Sequence, residues 1–300
     1  MRRVALAVIG AGPAGCAAAV QAARLGVRPW LLDREGRAGG LIENARHVEN
    51  YPGLEAPVSG TVFARRLGEH LHRFGLEVEQ GELTALGAGP GGKAGPSAPA
   101  TVFRLTGSFG EVEARAVILA VGTGPRHLGV PGEAALAGRT LFYEVKHLLP
   151  KPPERVLVVG AGEAAFDYAL SLAGAGARVK VLMRSDRPAA RGRLVEQVGE
   201  DRRILLTRVA EVQAVVSEGE GVAVTVRSPS GPKVLKGGAL LVAVGRTSAA
   251  EGLAGGAAGG GFFVVGDARR GALGQAGMAV GDGLEAAARA VEHLASEAVC

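Results

Sequence analysis

The chain has 300 residues, of which 47% are hydrophobic, 21% are charged and 4% are aromatic, with a formal net charge of +5. This length is sufficient for two domains that each bury a core, and the 48 glycines follow no collagen-like period. No apolar run is long enough to cross a bilayer, so we expect no membrane-spanning segment. The arginines are scattered and form no known nucleic-acid module, so we expect no nucleic-acid binding, although a basic surface favours an acidic protein partner.

The first part of the chain alternates between apolar runs of strand length and Ala-rich or amphipathic runs of helix length. Gly26 and Gly75 are placed to end two helices. Residues 87–99 consist largely of Gly, Pro, Ala and Ser, which predicts a flexible surface loop. We predict strands at residues 4–9, 29–33, 77–86, 101–106 and 112–120, and helices at residues 16–25 and 65–74.

The second part of the chain repeats this alternation, and a helical tail closes it. Alternation of this kind predicts an α/β fold with parallel sheets and helices on both faces. We predict strands at residues 156–159, 179–183, 209–216, 222–226, 240–244 and 262–265, and helices at residues 163–173 and 281–295.

A glycine-rich motif follows the first strand and opens the first helix. It consists of Gly10, Ala11, Gly12, Pro13, Ala14 and Gly15. Gly10 permits a tight turn, Gly12 lets the backbone approach a pyrophosphate, and Gly15 allows close packing of the helix. Asp33 ends the next strand, where a carboxylate accepts hydrogen bonds from a ribose. Together these features predict a dinucleotide site, since the start of a helix also favours phosphate charge.

A second glycine-rich motif lies between a strand and a helix at Gly160, Gly162 and Ala165. No Asp or Glu ends the strand that follows, although such a residue would favour NAD. Arginines stand there instead, and a guanidinium can bind a 2′-phosphate through paired charged hydrogen bonds. This pattern favours NADPH without excluding NADH; the arginines are Arg184, Arg187 and Arg191, of which the last two can equally be solvated surface residues.

In their order along the chain, the two motifs and Gly266-Asp267 resemble those of the low-molecular-weight thioredoxin reductase family, whose members carry FAD and bind NADPH. The resemblance extends to several flavin-side positions, with Asp267 on the ribityl chain and Gln275 along the isoalloxazine ring. Met183-Arg184-Ser185 matches half of the family's His-Arg-Arg motif for NADPH. The flavin-side positions are Gly40, Asn50, Gly122, Gly266, Asp267, Gln275 and Ala276.

The resemblance also implies how the domains are arranged. It implies two Rossmann-like, three-layer ββα dinucleotide-binding domains, with the second inserted into the first. Residues 1–121 and 245–300 would form a discontinuous FAD-binding domain, and residues 122–244 would form the NAD(P)H-binding domain. We also expect a homodimer.

The family's Cys-x-x-Cys pair is missing from this sequence. Counting from Gly132-Glu133 places the two positions on Glu144 and His147, whereas counting from Gly160 places them on Tyr143 and Lys146. Glu144 and His147 are candidate catalytic residues, because a histidine can deliver a proton near neutral pH. The alternative interpretation is that both are solvated residues near the hinge.

The chain has two cysteines, Cys16 and Cys300. Cys16 begins the first predicted helix and is expected to be a buried packing residue, and Cys300 is expected to be part of a frayed terminus. With so few cysteines and no export signal, we expect a cytoplasmic protein without a disulfide framework. The histidines show no zinc spacing, so no metal is predicted.

These features predict an FAD-dependent oxidoreductase that prefers NADPH and passes hydride from the nicotinamide to the flavin and on to an external acceptor. Ferredoxin or flavodoxin, a quinone and a low-molecular-weight disulfide all remain open as acceptors. The alternative is a non-catalytic flavin or nucleotide sensor. The half-matched arginine motif and the short Gly-rich segment at residues 253–261 favour that alternative.

Overall fold

The computed structural model describes residues 1–88, 102–253, 260–271 and 274–298. The chain forms two compact units, and the second is inserted into the first. Unit 1 comprises Met1–Glu43, His47–Gly124 and Thr247–Cys300, and unit 2 comprises Asn44–Arg46 and Pro125–Arg246. Apart from Asn44–Arg46, the chain thus changes unit after Gly124 and after Arg246, where the sequence analysis placed boundaries after residues 121 and 244.

The elements alternate between strands and helices along much of the chain, and 3₁₀ turns lie at Gly40–Asn44 and Val145–His147. The described strands are β1 (Arg2–Ile9), β2 (Trp30–Asp33), β3 (Glu79–Gln80), β4 (Leu83–Ala88), β5 (Phe103–Gly107), β6 (Gly110–Leu119), β7 (Thr123–Pro125), β8 (Leu141–Phe142), β9 (Arg155–Val159), β10 (Arg178–Leu182), β11 (Ile204–Thr207), β12 (Glu211–Glu218), β13 (Gly221–Ser228), β14 (Gly231–Gly237), β15 (Ala239–Val242), β16 (Arg246–Ser248) and β17 (Phe262–Val264). The described helices are α1 (Pro13–Arg24), α2 (Gly60–Arg73), α3 (Glu133–Leu136), α4 (Glu163–Gly174), α5 (Arg193–Glu200), α6 (Asp267–Arg270) and α7 (Ala276–Ala298).

Unit 1 is built on a sheet with strand order β3-β2-β1-β6-β5-β4, and β17 pairs with the end of β6. The strands around β1 are parallel, whereas β4, β5 and β6 form an antiparallel meander. Small side chains let α1 and α7 pack closely on one face over Leu6 and Val8. The side chains on the other face of the sheet form a separate apolar cluster, which includes Phe103.

Unit 2 contains a parallel sheet with strand order β11-β10-β9-β15-β8. Helices α4 and α5 pack on one face through a core that includes Phe166 and Val198. The antiparallel sheet β12-β13-β14 covers the other face through residues such as Val215 and Val224. The two longer helices therefore lie on one face, whereas the other face carries the antiparallel sheet and only the one-turn helix α3, through Leu136, where the sequence analysis expected helices on both faces. The α/β class and the ββα layering implied by the resemblance are confirmed.

The predicted strand at residues 77–86 is also wrong. The chain forms two strands there: Gly81 still donates its N–H to the carbonyl of Asp33, and beyond Gly81 the backbone leaves β2 and continues as β4. β3 continues the parallel sheet beside β2, whereas β4 pairs antiparallel with β5. In the predicted loop at residues 87–99, Gly87 and Ala88 belong to β4, and the remainder lies outside the described residues.

Two properties concern the described part of the chain as a whole. No helix in those ranges has the length and apolar composition required to span a membrane. Nor do these ranges contain a group of three or more His, Cys, Asp or Glu side chains placed to hold a metal ion.

Two Gly→Ala substitutions in unit 1 should have opposite effects on stability, because the space around the two glycines differs. A Cβ atom on Gly15 would overlap the carbonyl oxygen of Gly10, so Gly15→Ala should lower the free energy of unfolding by about 1–3 kcal/mol. Gly68 lies inside α2, and its Cβ would stand 3.7 Å from that of Ala38, an ordinary contact. Gly68→Ala should therefore raise stability by about 0.5–1 kcal/mol.

Urea unfolding of the purified protein, followed by fluorescence, measures both effects. Trp30 is the single tryptophan of the chain and lies in β2, so its emission reports on unit 1. Equal changes in the two variants would contradict the described contact between Gly15 and Gly10.

Candidate functional site

The first glycine motif forms a turn at the carboxyl end of β1. Gly10 has a φ of +102° and donates its N–H to the carbonyl of Leu32 at 2.7 Å, which holds the turn against β2. One carboxylate oxygen of Asp33 accepts the N–H of Ala11 at 2.8 Å, and the other accepts that of Glu35 at 2.8 Å. Asp33 thus lies beside the loop, where its half-exposed carboxylate retains lone pairs for ribose hydroxyls.

Helix α1 begins beside this turn without a side-chain cap. Gly12 is its N-cap residue and provides no side-chain cap, and Pro13 takes the first helical position. Ala14 is buried next to it. Gly40 lies so close that a Cβ atom there would be 3.4 Å from Cα of Gly12. An uncapped helix start lined by glycine backbone suits a pyrophosphate, because the first N–H groups and the helix dipole favour negative charge.

The structure also brings later parts of the chain to this loop. Gly266 lies against Ala14, since a Cβ atom on Gly266 would be 2.9 Å from that of Ala14. Asp267 follows as the first residue of α6. The side-chain amide of Asn50 donates to the Oε1 atom of Gln275 at 2.8 Å, so two predicted flavin-side residues far apart in sequence are in contact.

Two further predicted positions lie at the ends of elements in unit 1. Gly122 has a φ of +66° just beyond β6, and its carbonyl accepts the N–H of Ala249 at 3.0 Å. Ala276 is the first residue of α7, next to Gln275. All of the predicted flavin-side residues therefore belong to unit 1.

An ion pair between a buried carboxylate and a partly exposed arginine lies next to this loop, and the sequence analysis missed it. Asp282 is 5% exposed and accepts two hydrogen bonds from the guanidinium of Arg270, at 2.7 and 2.6 Å. It also accepts the backbone N–H of Gly266 at 3.2 Å. Arg270, assisted by that N–H, holds the pKa of Asp282 below its ordinary value. The pair thereby ties α7 to the turn that carries Asp267.

The second glycine motif has the same backbone arrangement in unit 2. Gly160 donates its N–H to the carbonyl of Leu182 at 3.0 Å, as Gly10 does to Leu32. Gly162 is the N-cap residue of α4, which likewise has no side-chain cap, and no atom lies within 4 Å of where its Cβ would be. Ala165 is fully buried beneath the turn. Unit 2 therefore has its own loop fitted to a dinucleotide.

The two loops differ at the residue that follows the second strand. Ile9 pairs with Leu32 in unit 1, and Val159 pairs with Leu182 in unit 2, so Asp33 and Met183 occupy equivalent positions. Met183 is 0% exposed and its side chain has no oxygen to accept a ribose hydroxyl.

The predicted arginines lie next to Met183 in sequence. Arg184, Arg187 and Arg191 are all exposed. The segment that carries them folds back on the glycine loop, because the N–H groups of Ala189 and Ala190 both donate to the carbonyl of Ala161. An apolar residue and a basic segment thus replace the acid that unit 1 carries.

The positions counted for the missing cysteines lie around a 3₁₀ turn in unit 2. Glu144 precedes this turn and uses both carboxylate oxygens, one for the amide of Asn44 and one for Arg246 at 2.9 Å. His147 ends the turn, and its side chain is exposed. Asn44 also accepts the N–H of Lys146 at 3.1 Å. Glu144 is therefore part of a polar network that organises the turn.

Tyr143, the other candidate from the counting, is held in a second network. Its hydroxyl donates to Glu133 at 2.9 Å and lies 2.8 Å from Nδ1 of His127. Burial and the adjacent carboxylate raise the pKa of Tyr143. Glu133 is buried and also accepts the N–H groups of Leu128 and Gly129. Tyr143 remains protonated and fixes this loop.

Cys16 lies inside α1 and is 2% exposed. Its thiol donates to the carbonyl of Ala11 at 3.1 Å. Burial, reinforced by the charge of Asp33, raises the pKa of Cys16 to about 12, so little reactive thiolate forms near neutral pH. Cys300 lies outside the described residues.

The glycine loops were predicted from local motifs, whereas the contacts of Asp282, Arg270, Asn44 and Arg246 were not. Each of these joins residues far apart in the chain or in adjoining elements, and no local motif encodes such a pairing. In the sequence Gly281-Asp282-Gly283, the acidic residue lies between two glycines, and this local pattern was a signal for a buried carboxylate.

Comparisons with known proteins agree with this architecture. The model of the family described as pyridine nucleotide-disulphide oxidoreductase matches residues 4–270. The thioredoxin reductase of Treponema pallidum (strain Nichols) is 30% identical over 222 residues, which are 70% of this chain and 66% of that protein. The alignment thus spans slightly less than two thirds of the relative's length.

Solved structures show the same fold over nearly the full length. Thioredoxin reductase from Lactococcus lactis superposes with a TM-score of 0.84 at 24% identity, covering 98% of this chain and 99% of the other. Thioredoxin reductase from T. acidophilum gives a TM-score of 0.81 at 25% identity, and each chain is covered completely.

The fold defines a protein of the α/β class with two Rossmann-like domains, each carrying a glycine loop between a strand and a helix. The chain belongs to the pyridine nucleotide-disulphide oxidoreductase family. The predicted resemblance to thioredoxin reductases is confirmed.

The ion pair between Arg270 and Asp282 predicts a contribution to stability that depends on pH. Arg270→Ala leaves the Asp282 carboxylate without its main partner and should lower the free energy of unfolding at pH 7. Since the folded pKa is depressed, this contribution is complete above the unfolded pKa of about 3.9 and is lost as the pH falls through the folded value. The difference from wild type should therefore shrink below about pH 4.

Denaturant unfolding between pH 3 and 7, monitored through Trp30, measures this difference. Arg289→Ala is the matched control, because Arg289 pairs with Glu285 on the exposed surface of α7 and should change stability by less than about 0.5 kcal/mol. A loss in Arg270→Ala that is the same at every pH would contradict the assigned role of the charge.

Proposed function

We propose that this protein is an FAD-dependent oxidoreductase in which unit 1 binds FAD and unit 2 binds NADPH. The observation that carries the proposal is the difference between the two equivalent loops. Asp33 supplies a ribose acceptor in unit 1, whereas buried Met183 and exposed Arg184 stand at the same place in unit 2. Two dinucleotides with different riboses account for this difference.

The residues of unit 1 fit a flavin dinucleotide. The uncapped start of α1 can receive the pyrophosphate, and Asp33 can bind the adenosine ribose. Asp267 would hold the ribityl chain on a turn stabilised by Asp282, and Gln275, bonded to Asn50, would line the ring. When bound, the flavin would supply two-electron chemistry by accepting a hydride from a nicotinamide.

The residues of unit 2 fit NADPH better than NADH. The start of α4 can receive the pyrophosphate, as in unit 1. The buried side chain of Met183 cannot bind a 2′-hydroxyl, whereas Arg184 next to it can bind a 2′-phosphate through charge-assisted hydrogen bonds.

The acceptor is proposed to be an external molecule, because no thiol of this chain stands at the dithiol positions. Transfer to a disulfide by exchange requires a thiolate that attacks sulfur. Glu144 and His147 carry none, and the Cys16 thiol is buried and protonated. Ferredoxin, flavodoxin, a quinone and a low-molecular-weight disulfide are candidates, and the net charge of +5 favours an acidic redox protein.

Anaerobic reduction of the bound flavin tests the proposal directly. NADPH should bleach the flavin absorbance quickly, and Arg184→Ala should weaken this reaction at least about tenfold for NADPH while leaving NADH nearly unchanged. Arg178→Ala is the matched control, because Arg178 is exposed at the start of β10, whereas Arg184 follows the end of that strand. A yellow protein that neither nucleotide bleaches would indicate a sensor, and a colourless protein would contradict the FAD assignment.

A second prediction concerns thioredoxin. The protein should not reduce thioredoxin with NADPH at a significant rate, since no reactive dithiol is available, whereas quinone and one-electron acceptors should be reduced. A coupled assay on wild type and on the Cys16→Ser/Cys300→Ser double variant measures this. Rapid thioredoxin turnover that the double variant loses would contradict the proposal and make one of these thiols catalytic.

A further inference from the structure

The chain beside the proposed NADPH loop makes a two-residue excursion at the end of β11. Strands β10 and β11 are parallel, with Leu182 opposite Thr207. The N–H of Met183 donates to the carbonyl of Thr207 at 2.9 Å, and the carbonyl of Met183 accepts the N–H of Ala210 at 2.8 Å. Met183 thus holds both ends of the excursion, which places Arg208 and Val209 next to the strand end that leads into Arg184.

This excursion is strained. Val209 has a φ of +51°, and it is the one non-glycine residue with positive φ within the described ranges. A β-branched residue in this region is unfavourable, and such strain persists where the surrounding structure requires it, often at binding sites. Val209 is also 40% exposed, so burial of its side chain does not compensate. This backbone conformation directly follows Arg208, which lies next to the end of β10.

Arg208 reaches the segment that carries the predicted arginines. Its guanidinium lies 3.8 Å from the carboxylate of Asp186, and both side chains are more than half exposed, at 57% and 71%. The hydroxyl of Ser185 donates to the carbonyl of Arg187 at 2.7 Å and closes the turn on which Asp186 sits. An ion pair this exposed adds little to stability, so it does not explain the strained backbone.

We propose that Arg208 is a specificity-determining residue that binds the 2′-phosphate of NADPH together with Arg184. Asp186 is its counter-ion when the nucleotide is absent, and the phosphate takes the place of that carboxylate. Ser185 offers only a hydroxyl at the turn, so Arg208 brings a second guanidinium from the neighbouring strand. This inference rests on the proposed binding of NADPH to unit 2.

Calorimetric binding of two small ligands tests the inference without turnover. Adenosine 2′,5′-bisphosphate carries the 2′-phosphate, and 5′-AMP lacks it. Arg208→Gln should weaken binding of the bisphosphate about tenfold and leave 5′-AMP unchanged, whereas Arg208→Lys should retain part of the affinity. Asp186→Asn should have the opposite sign and tighten the bisphosphate a few-fold, because it removes a competing negative charge. Arg178→Gln serves as the control and should change neither ligand.

The outcomes separate this inference from the proposed function. If Arg184→Ala abolishes the preference for the bisphosphate while Arg208→Gln preserves it, NADPH binding stands and the role of Arg208 is wrong. Equal weakening of both ligands by Arg208→Gln would also overturn that role, since it would show a general disturbance of the unit. If wild type binds the two ligands equally, the assignment of NADPH itself fails.

Discussion

The hydrogen bond from the first glycine of each loop to the neighbouring strand is the constraint on which both proposed sites depend. Gly10 donates to Leu32 and Gly160 donates to Leu182, so each loop is held at the carboxyl edge of its parallel sheet. The start of the following helix is thereby presented without a cap. The two loops thus have a similar backbone arrangement, and they differ at the side chain that follows the second strand, which is Asp33 in unit 1 and Met183 in unit 2.

Two hydrogen-bonded polar networks organise the proposed sites, one at the positions where the resemblance predicts a cysteine pair and one in unit 1. Glu144 bonds to Asn44 and Arg246, so this position contributes to the order of unit 2. Behind the flavin-side loop, Asp282 joins Arg270 to the N–H of Gly266. Breaking such a pair is costly because one charge stays buried, which makes it an effective support for a binding turn.

Local patterns in the sequence predicted the glycine loops, the main strands and the basic segment, because each depends on neighbouring residues. The resemblance named Asn50 and Gln275 as flavin-side positions, but neither their contact nor the Asp282–Arg270 pair was predicted. Strand β14 of the antiparallel sheet in unit 2 was not predicted, because its sequence contains two Lys and two Gly and lacks an apolar alternation. Similarly, the segment predicted as one strand at residues 77–86 forms two strands that separate at Gly81. Its first strand is held to β2 by long-range contacts such as the bond from Gly81 to Asp33, which no local pattern predicts.

The central claim is that the chain holds a flavin and no redox-active dithiol, and an anaerobic titration with dithionite tests it most directly. If the proposal is correct, the flavin is the single two-electron centre, and the flavin-loaded protein should take up about two electrons per flavin. Absorbance and added reductant together give this number without any assumption about the physiological acceptor. Uptake of about four electrons per flavin would reveal a second two-electron couple, such as a disulfide, and would contradict the account.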